Sequence, residues 1–192
     1  MTRAATIISL VLHPMMVAPL TFGTLIYTGD PISENMHLIF FIAFFFSTLL
    51  SIATVIYLTK QGIVSDMDVS IREQRVQPLV FGTIYCGLGF LILKYFNASP
   101  LVQGLMFCYA FNTAIVWFIT REWKISIHAI GLGGPLIALW LHGIHYPVIM
   151  GFALVLLCVS RVILKAHTPA QVMAGATLAM GLAYIELTTL FL

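Results

Sequence analysis

The residues best suited to chemistry lie where one hydrophobic run gives way to the next, in the segment Ser-Arg-Val-Ile-Leu-Lys-Ala-His-Thr-Pro-Ala-Gln from Ser160 to Gln171. Arginine offers planar, bidentate donors to phosphate oxygens, and histidine can serve as a nucleophile or a general acid near neutral pH. We therefore interpret Arg161 and His167 as residues that act on a phosphate ester. Lys165 is interpreted as an anchor to lipid headgroups, a role that Arg161 could also have.

Two other polar clusters contain the same residue types, one at residues 66–75 and one at residues 121–128. Two hydrophobic runs separate each cluster from the next, so the chain would return to the same side of a membrane each time. The three clusters are thus expected to meet at one end of a helical bundle. A site of two or three guanidinium groups, at least one lysine and two imidazoles suits a phosphate ester.

The order of these residues resembles the type 2 phosphatidic acid phosphatase superfamily over about residues 68–171. Three segments carry the resemblance, one for each family signature: Arg75 for Lys-x6-Arg-Pro, Ser126-Ile127-His128 for Pro-Ser-Gly-His, and Ser160-Arg161 with His167 for Ser-Arg-x5-His-x3-Asp. The resemblance implies a membrane hydrolase of lipid metabolism, a phosphatase that acts on a lipid phosphate or diphosphate through a phosphohistidine intermediate. It implies no metal and no cofactor.

The resemblance also assigns roles to individual residues. His167 would attack phosphorus, and His128 would protonate the leaving alkoxide. The phosphoryl oxygens would be bound by Arg161, Arg75 and Ser126. Arg72 either substitutes for the lysine of the first signature or contacts lipid headgroups. Ser126 is equally well suited to capping the helix that follows it.

The sequence departs from the family pattern at two important positions. Asp68 stands where the family has the lysine, and Gln171 stands where it has the aspartate that orients the nucleophile. Gln171 is predicted to accept a hydrogen bond from the ring of His167 without supplying charge. Thr168-Pro169-Ala170-Gln171 is also a capping box, in which Gln171 would bond the backbone of the last helix. Ser70 to Glu73 reads as a second capping box.

These departures leave other functions open. One alternative is a catalytically degenerate family member that acts as a lipid-binding protein or as a subunit of a membrane complex. Another is a phosphotransferase that passes the phosphoryl group to an alcohol instead of water. The substrate would be a membrane lipid phosphate or a polyprenyl phosphate, and no motif indicates nucleic-acid binding.

Composition defines the elements that must position these residues. Sixty per cent of the residues are hydrophobic and only 8% are charged, which indicates an integral, multi-pass membrane protein of the all-α class. We predict one transmembrane helical domain, residues 1–192, with about seven spans, six remaining possible. The predicted spans are residues 5–27, 37–58, 79–95, 101–120, 127–141, 146–159 and 169–192.

Charge and isolated polar residues complete the prediction. In a seven-span topology, eight of the nine lysines and arginines fall on the side of the proposed site, which the positive-inside rule makes cytoplasmic. His13, beside Pro14, is expected to be a core histidine at a kink of the first span. Glu186 lies inside the last span, where an acid is costly, and is expected to face a polar partner or the opposite membrane surface.

Overall fold

The computed structural model describes residues 2–29 and 34–192, and within these ranges it contains helices and no strand. The prediction of an all-α fold is therefore confirmed. Nine α-helices follow one another along the described chain: α1 Thr2–Val11, α2 Pro14–Tyr27, α3 Met36–Phe44, α4 Leu50–Lys60, α5 Val76–Tyr95, α6 Pro100–Glu122, α7 Ile127–Leu141, α8 Pro147–Ile163 and α9 Pro169–Glu186. Short π-helical turns, Phe45–Leu49 and Leu187–Phe191, join α3 to α4 and extend α9.

Five helical segments in this part of the chain are long and apolar enough to cross a membrane: Thr2–Tyr27, Met36–Lys60, Glu73–Tyr95, Pro100–Glu122 and Pro169–Phe191. They agree with five of the predicted spans. The other two predicted spans correspond to α7 and α8, which are apolar but shorter, at 15 and 17 residues. Membrane-spanning helices are thus supported, whereas helix length alone does not establish the count of seven.

The first segment breaks at His13. Helix α1 ends at Val11, and α2 begins at Pro14, a residue that suits the first helical position because it has no N–H to leave unpaired. The Nδ1 atom of His13 accepts a hydrogen bond from the Met15 N–H at 3.1 Å and so caps α2. The break places the His13 ring at the same level as the start of α7.

Helices α2 and α7 lie side by side and run in the same direction. At one end the rings of His13 and His128 meet edge to face, with 4.6 Å between their centroids. At the other end the Thr28 hydroxyl lies 2.8 Å from His142 Nε2. The two helices therefore begin and end at matching depths, and the residues at their N-terminal ends share one end of the bundle.

Glycines allow α9 to pack closely against α7. A Cβ on Gly175 would lie 2.8 Å from the Ser126 carbonyl oxygen, and one on Gly133 would lie 3.2 Å from the Ala176 carbonyl oxygen. Any larger residue would push the helices apart, because interiors are already close-packed. This approach brings the Ser126 region next to the start of α9, where the Ser126 N–H donates to the Gln171 carbonyl at 3.3 Å.

The largest hydrophobic core lies towards the other end of the bundle. Its buried members include Phe22, Leu25, Ile39, Met106 and Leu187, contributed by α2, α3, α6 and the turn after α9. A smaller group, Leu79, Val116 and Ile125, lies beneath the polar end. The polar residues are thus held by an apolar bundle whose helices all reach the same end.

Candidate active site

Five of the predicted site residues are almost completely buried. Their exposed fractions are 2% for Arg75, 3% for Arg161, 5% for His128, 6% for His167 and 0% for Ser126. Charged side chains are almost never buried to this degree unless they have partners or a ligand. The sequence motifs therefore mark a buried polar cluster at one end of the bundle.

Arg75 joins two loops. It ends the short 3₁₀ turn Glu73–Arg75, its Nε donates to the Val69 carbonyl at 2.8 Å, and its guanidinium donates to the Ile125 carbonyl at 3.0 Å. These carbonyls satisfy N–H groups but carry no net charge. The positive charge of Arg75 consequently stays uncompensated by these two contacts and is available to an anion.

Arg161, in the last turn of α8, contacts two residues that do not match the family motifs. One terminal nitrogen donates to the Ser9 hydroxyl at 2.7 Å and to Asp68 Oδ2 at 3.0 Å, and its buried Nε has no partner among the described residues. Contact with His13, whose Nε2 lies 3.7 Å from Oδ1, and the nearby Arg161 charge hold the pKa of Asp68 well below its ordinary value. Asp68 is therefore an ionised partner of Arg161.

His167 immediately precedes the N-cap of α9. Burial, followed by the charges of Arg75, Lys124 and Arg161, lowers the pKa of His167 from 6.5 to about 4. The imidazole is therefore neutral at pH 7, and the positive charges of these three residues lie near enough to act on it. Burial and the charges of the two arginines also lower the pKa of Lys124. Asp66 also acts on Arg75 and Lys124, and Glu73 on Lys124, but of the carboxylates that the structure describes only Asp68 bonds one of the two buried arginines. The buried pair therefore retains positive charge that suits a phosphate.

Gln171 fixes which nitrogen of His167 is free. Its Oε1 atom accepts from the Thr168 N–H and lies 3.1 Å from His167 Nδ1, so the ring proton belongs on Nδ1. The lone pair is then on Nε2. The capping box is also present, since the Thr168 hydroxyl accepts from the Gln171 N–H. Both roles considered for Gln171 thus coexist in the geometry.

Ser126 and His128 begin α7. The Ser126 hydroxyl accepts from the Ala129 N–H at 3.4 Å, which is the geometry of an N-cap. His128 packs its ring against His13, and its buried Nε2 has no partner in the described part of the protein. An unpartnered buried nitrogen costs free energy until a ligand or water bonds it. His128 Nε2 is accordingly a candidate contact for substrate.

Two other cations do not join the cluster. Arg72 is partly exposed, and its guanidinium contacts the Glu73 carboxylate at 3.0 Å and the Glu122 carbonyl at 2.6 Å. Its described contacts join the loop before α5 to the end of α6. Lys165 is exposed, as expected for a headgroup anchor.

Sequence reasoning missed four contributors: Ser9, His13, Asp68 and Lys124. His13 is not simply a core histidine, because it caps α2 and faces Asp68. Asp68 was visible in the sequence only as a departure from the family lysine. Its opposite charge was a usable signal, since a buried arginine needs an acid more than a second cation.

His13, Asp68 and His128 each offer an atom within 4.8 Å of the others, a spacing that would allow one metal ion. The hydrogen bonds argue against that use. Because His13 Nδ1 accepts the Met15 N–H, a neutral His13 carries its proton on Nε2, and neither nitrogen offers a free lone pair. Arg161 also occupies Asp68 Oδ2. The three residues fit a hydrogen-bonded network better than a metal centre.

A cavity of about 210 Å³ opens beside the cluster. His13, Asp68, Arg75 and His128 line its polar end, and mostly apolar side chains of α2, α5, α6 and α7 line the rest. Arg161, His167 and Ser126 lie outside its lining. The cavity can therefore hold an apolar chain whose polar head reaches the cluster through Arg75 and His128.

Comparisons with protein-family models, curated proteins and solved structures give no match to this chain. The family resemblance therefore depends on the three motifs alone.

Proposed function

We propose that this protein is a membrane phosphatase that hydrolyses a lipid phosphate or diphosphate through a phosphohistidine intermediate. The observation that carries the proposal is the buried, neutral His167 surrounded by Arg75, Lys124 and Arg161. The two buried arginines, of which only Arg161 bonds a described carboxylate, can stabilise a phosphoryl group, and a neutral imidazole near them can act as a nucleophile.

The reaction follows from the tautomer. His167 Nε2 attacks the terminal phosphorus while the bond from that phosphorus to the leaving oxygen breaks. Once that oxygen is protonated, a lipid phosphate leaves as an alcohol and a lipid diphosphate leaves as a lipid monophosphate. We assign the proton to His128, because its buried Nε2 has no partner among the described residues and is therefore free to contact the substrate. Gln171 holds Nδ1–H during attack. Water then attacks phosphorus while the bond from phosphorus to Nε2 breaks, and His128 takes up the proton that the water loses. Phosphate is released and both histidines are restored.

The arrangement in the membrane is part of the proposal. We infer seven spans, because α7 begins and ends at the same depths as α2, which belongs to a segment long enough to cross. The lysines and arginines then gather at the end that holds the site. The positive-inside rule makes that end cytoplasmic.

Purified protein and a panel of lipid phosphates test the function. We expect phosphate release by the wild type and a loss of at least about 100-fold in His167→Ala and His128→Ala. The matched control is His145→Ala, a histidine at the far end of α7, which should retain activity. Equal activity in wild type and His167→Ala would refute the proposal.

One observation favours the second candidate, a non-catalytic lipid-binding protein. Asp68 contacts Arg161 at 3.0 Å and so competes with a phosphate for that guanidinium. Binding of lipid phosphates that depends on Arg161, without any phosphate release, would identify this function.

A further inference from the structure

The deep end of the cavity contains polar atoms that the proposed reaction does not use. Asn112 is 6% exposed, and its amide nitrogen donates to Glu186 Oε2 at 3.2 Å. Its Oδ1 and the Tyr109 hydroxyl are buried without a partner among the described residues, and the Cys108 thiol also contacts the Glu186 carboxyl. Asn112 and Tyr109 both line the cavity.

These atoms lie deep in the bundle. Asn112 precedes Glu122, near the end of α6 at the site, by ten residues, which corresponds to about 15 Å along a helix. Tyr109 lies one turn further along the same face. Unpaired polar atoms at such depth are costly in hydrocarbon, and polar residues inside spans commonly serve a ligand.

We propose that the cavity binds a lipid phosphate that carries a hydroxyl group on its apolar chain, with that hydroxyl at Asn112 and Tyr109. The placement of the phosphate is inferred from the proposed function, whereas the placement of the hydroxyl is inferred from the unpartnered atoms of Asn112 and Tyr109. A hydroxyl both donates and accepts, so it complements Asn112 whichever amide atom faces the cavity. A second anionic group would be disfavoured beside the Glu186 carboxyl.

A matched pair of single-chain alkyl phosphates tests this subsite. The two lipids are identical except that one carries a hydroxyl about 15 Å from phosphorus, and they compete for the protein in lipid nanodiscs. We expect wild type to favour the hydroxylated lipid in kcat/KM by about 10-fold, and Asn112→Leu to favour neither. Gln103→Leu, a similar change on α6 whose amide bonds the Ala98 carbonyl outside the cavity, should keep the preference.

A second assay tests the subsite independently of phosphatase activity. It measures the rise in Tm when the protein binds the two corresponding alcohols, which lack the phosphate. Stronger stabilisation by the diol than by the plain alcohol, lost in Asn112→Leu, supports the subsite even if no phosphate is released. No preference in wild type in either assay overturns it, even if the protein proves to be a phosphatase. If Asn112→Leu does not fold, Tyr109→Phe removes one hydroxyl with little change in shape and should reduce the preference.

Discussion

His167 reports the electrostatics of the site most directly. Its pKa of about 4 lies below the ordinary 6.5. The nucleophile therefore stays neutral as the pH falls through 6 and becomes protonated only near pH 4. We expect the acid limb of kcat/KM to lie near pH 4 to 5. Protonation is disfavoured in the folded state, so the free energy of unfolding should also fall as the pH decreases from about 6.5 through 4.

Two substitutions check the assignment of that limb to His167. Lys124→Met removes one of the surrounding cations, and Gln171→Glu adds negative charge beside Nδ1 while keeping a residue that can complete the capping box. Both should move the acid limb upwards by about a pH unit. A limb that stays in place in both variants would assign it to another group.

Asp68 competes with phosphate for Arg161. We expect Asp68→Asn to lower the free energy of unfolding by about 1–2 kcal/mol, less than for a fully buried pair because the carboxylate is partly exposed. The unpaired arginine should then gain more from an added anion. Inorganic phosphate should therefore raise the Tm of Asp68→Asn more than that of wild type.

The control for Asp68 lies in the same loop. Asp66 accepts hydrogen bonds from Ser70 and has no described contact with Arg161. Its charge acts on Arg75 and Lys124 instead, so the response of Asp66→Asn to phosphate should lie closer to that of wild type than the response of Asp68→Asn does. An equal response in all three proteins would show that Asp68 does not occupy an anion site.

Motif spacing predicted the residues that local sequence can reveal. Arg75, Arg161, His128 and His167 all lie in the buried cluster. The contacts of Arg161 with Ser9 and Asp68 join positions 152 and 93 residues apart, and no periodicity in the sequence encodes them. They arise only when α1, the loop before α5 and the end of α8 pack together.

At the scale of elements, the site depends on how closely α9 approaches α7. Gly175→Ala would place a methyl group 2.8 Å from the Ser126 carbonyl, and backbone cannot give way cheaply. We expect a loss of about 1–3 kcal/mol in stability and a larger relative loss of kcat, because α7, which carries His128, and α9, which follows His167, move apart. Thermal unfolding and phosphate release measure the two effects.

Gly181 supplies the control on the same helix. A Cβ there would meet nothing within 4 Å, so Gly181→Ala should leave activity intact and be neutral or stabilising by up to about 1 kcal/mol. Equal losses in both variants would mean that α9 tolerates no alanine for reasons unrelated to α7.

The sequence predicted the helices, but of the two capping boxes that it predicted only one is present. The capping box at Thr168 is present, because its residues act within one turn. The capping box expected from Ser70 to Glu73 is wrong: the Ser70 hydroxyl donates to Asp66, and Arg72 precedes the 3₁₀ turn. Tertiary contacts of Arg72 and Arg75 decide that loop, which lies between two helices.

For the whole molecule, hydrophobic runs predicted the bundle because lipid forces each apolar run to be helical. Five segments have the length of a span, and α7 and α8 are the two that length leaves open. The contact of α7 with α2 supports our proposal that both cross. The Thr28 to His142 hydrogen bond links the end of α7 to the end of α2, so α7 reaches the depth at which the first segment ends.

One added cysteine at a time, in a Cys158→Ser background that keeps only the buried Cys86 and Cys108, tests this topology with a membrane-impermeant maleimide in oriented vesicles. Cysteines at the exposed positions Gln61 and Glu122 should be labelled from the cytoplasmic side, and cysteines at Ser99 and His145 from the opposite side. Position 145, between α7 and α8, discriminates between the models. If α7 and α8 formed a hairpin that did not cross, His145→Cys would be labelled from the same side as Gln61→Cys and Glu122→Cys. The protein would then have five spans. Labelling of Gln61→Cys and Glu122→Cys only from the outside would instead reverse the orientation and place the phosphate site on the external surface.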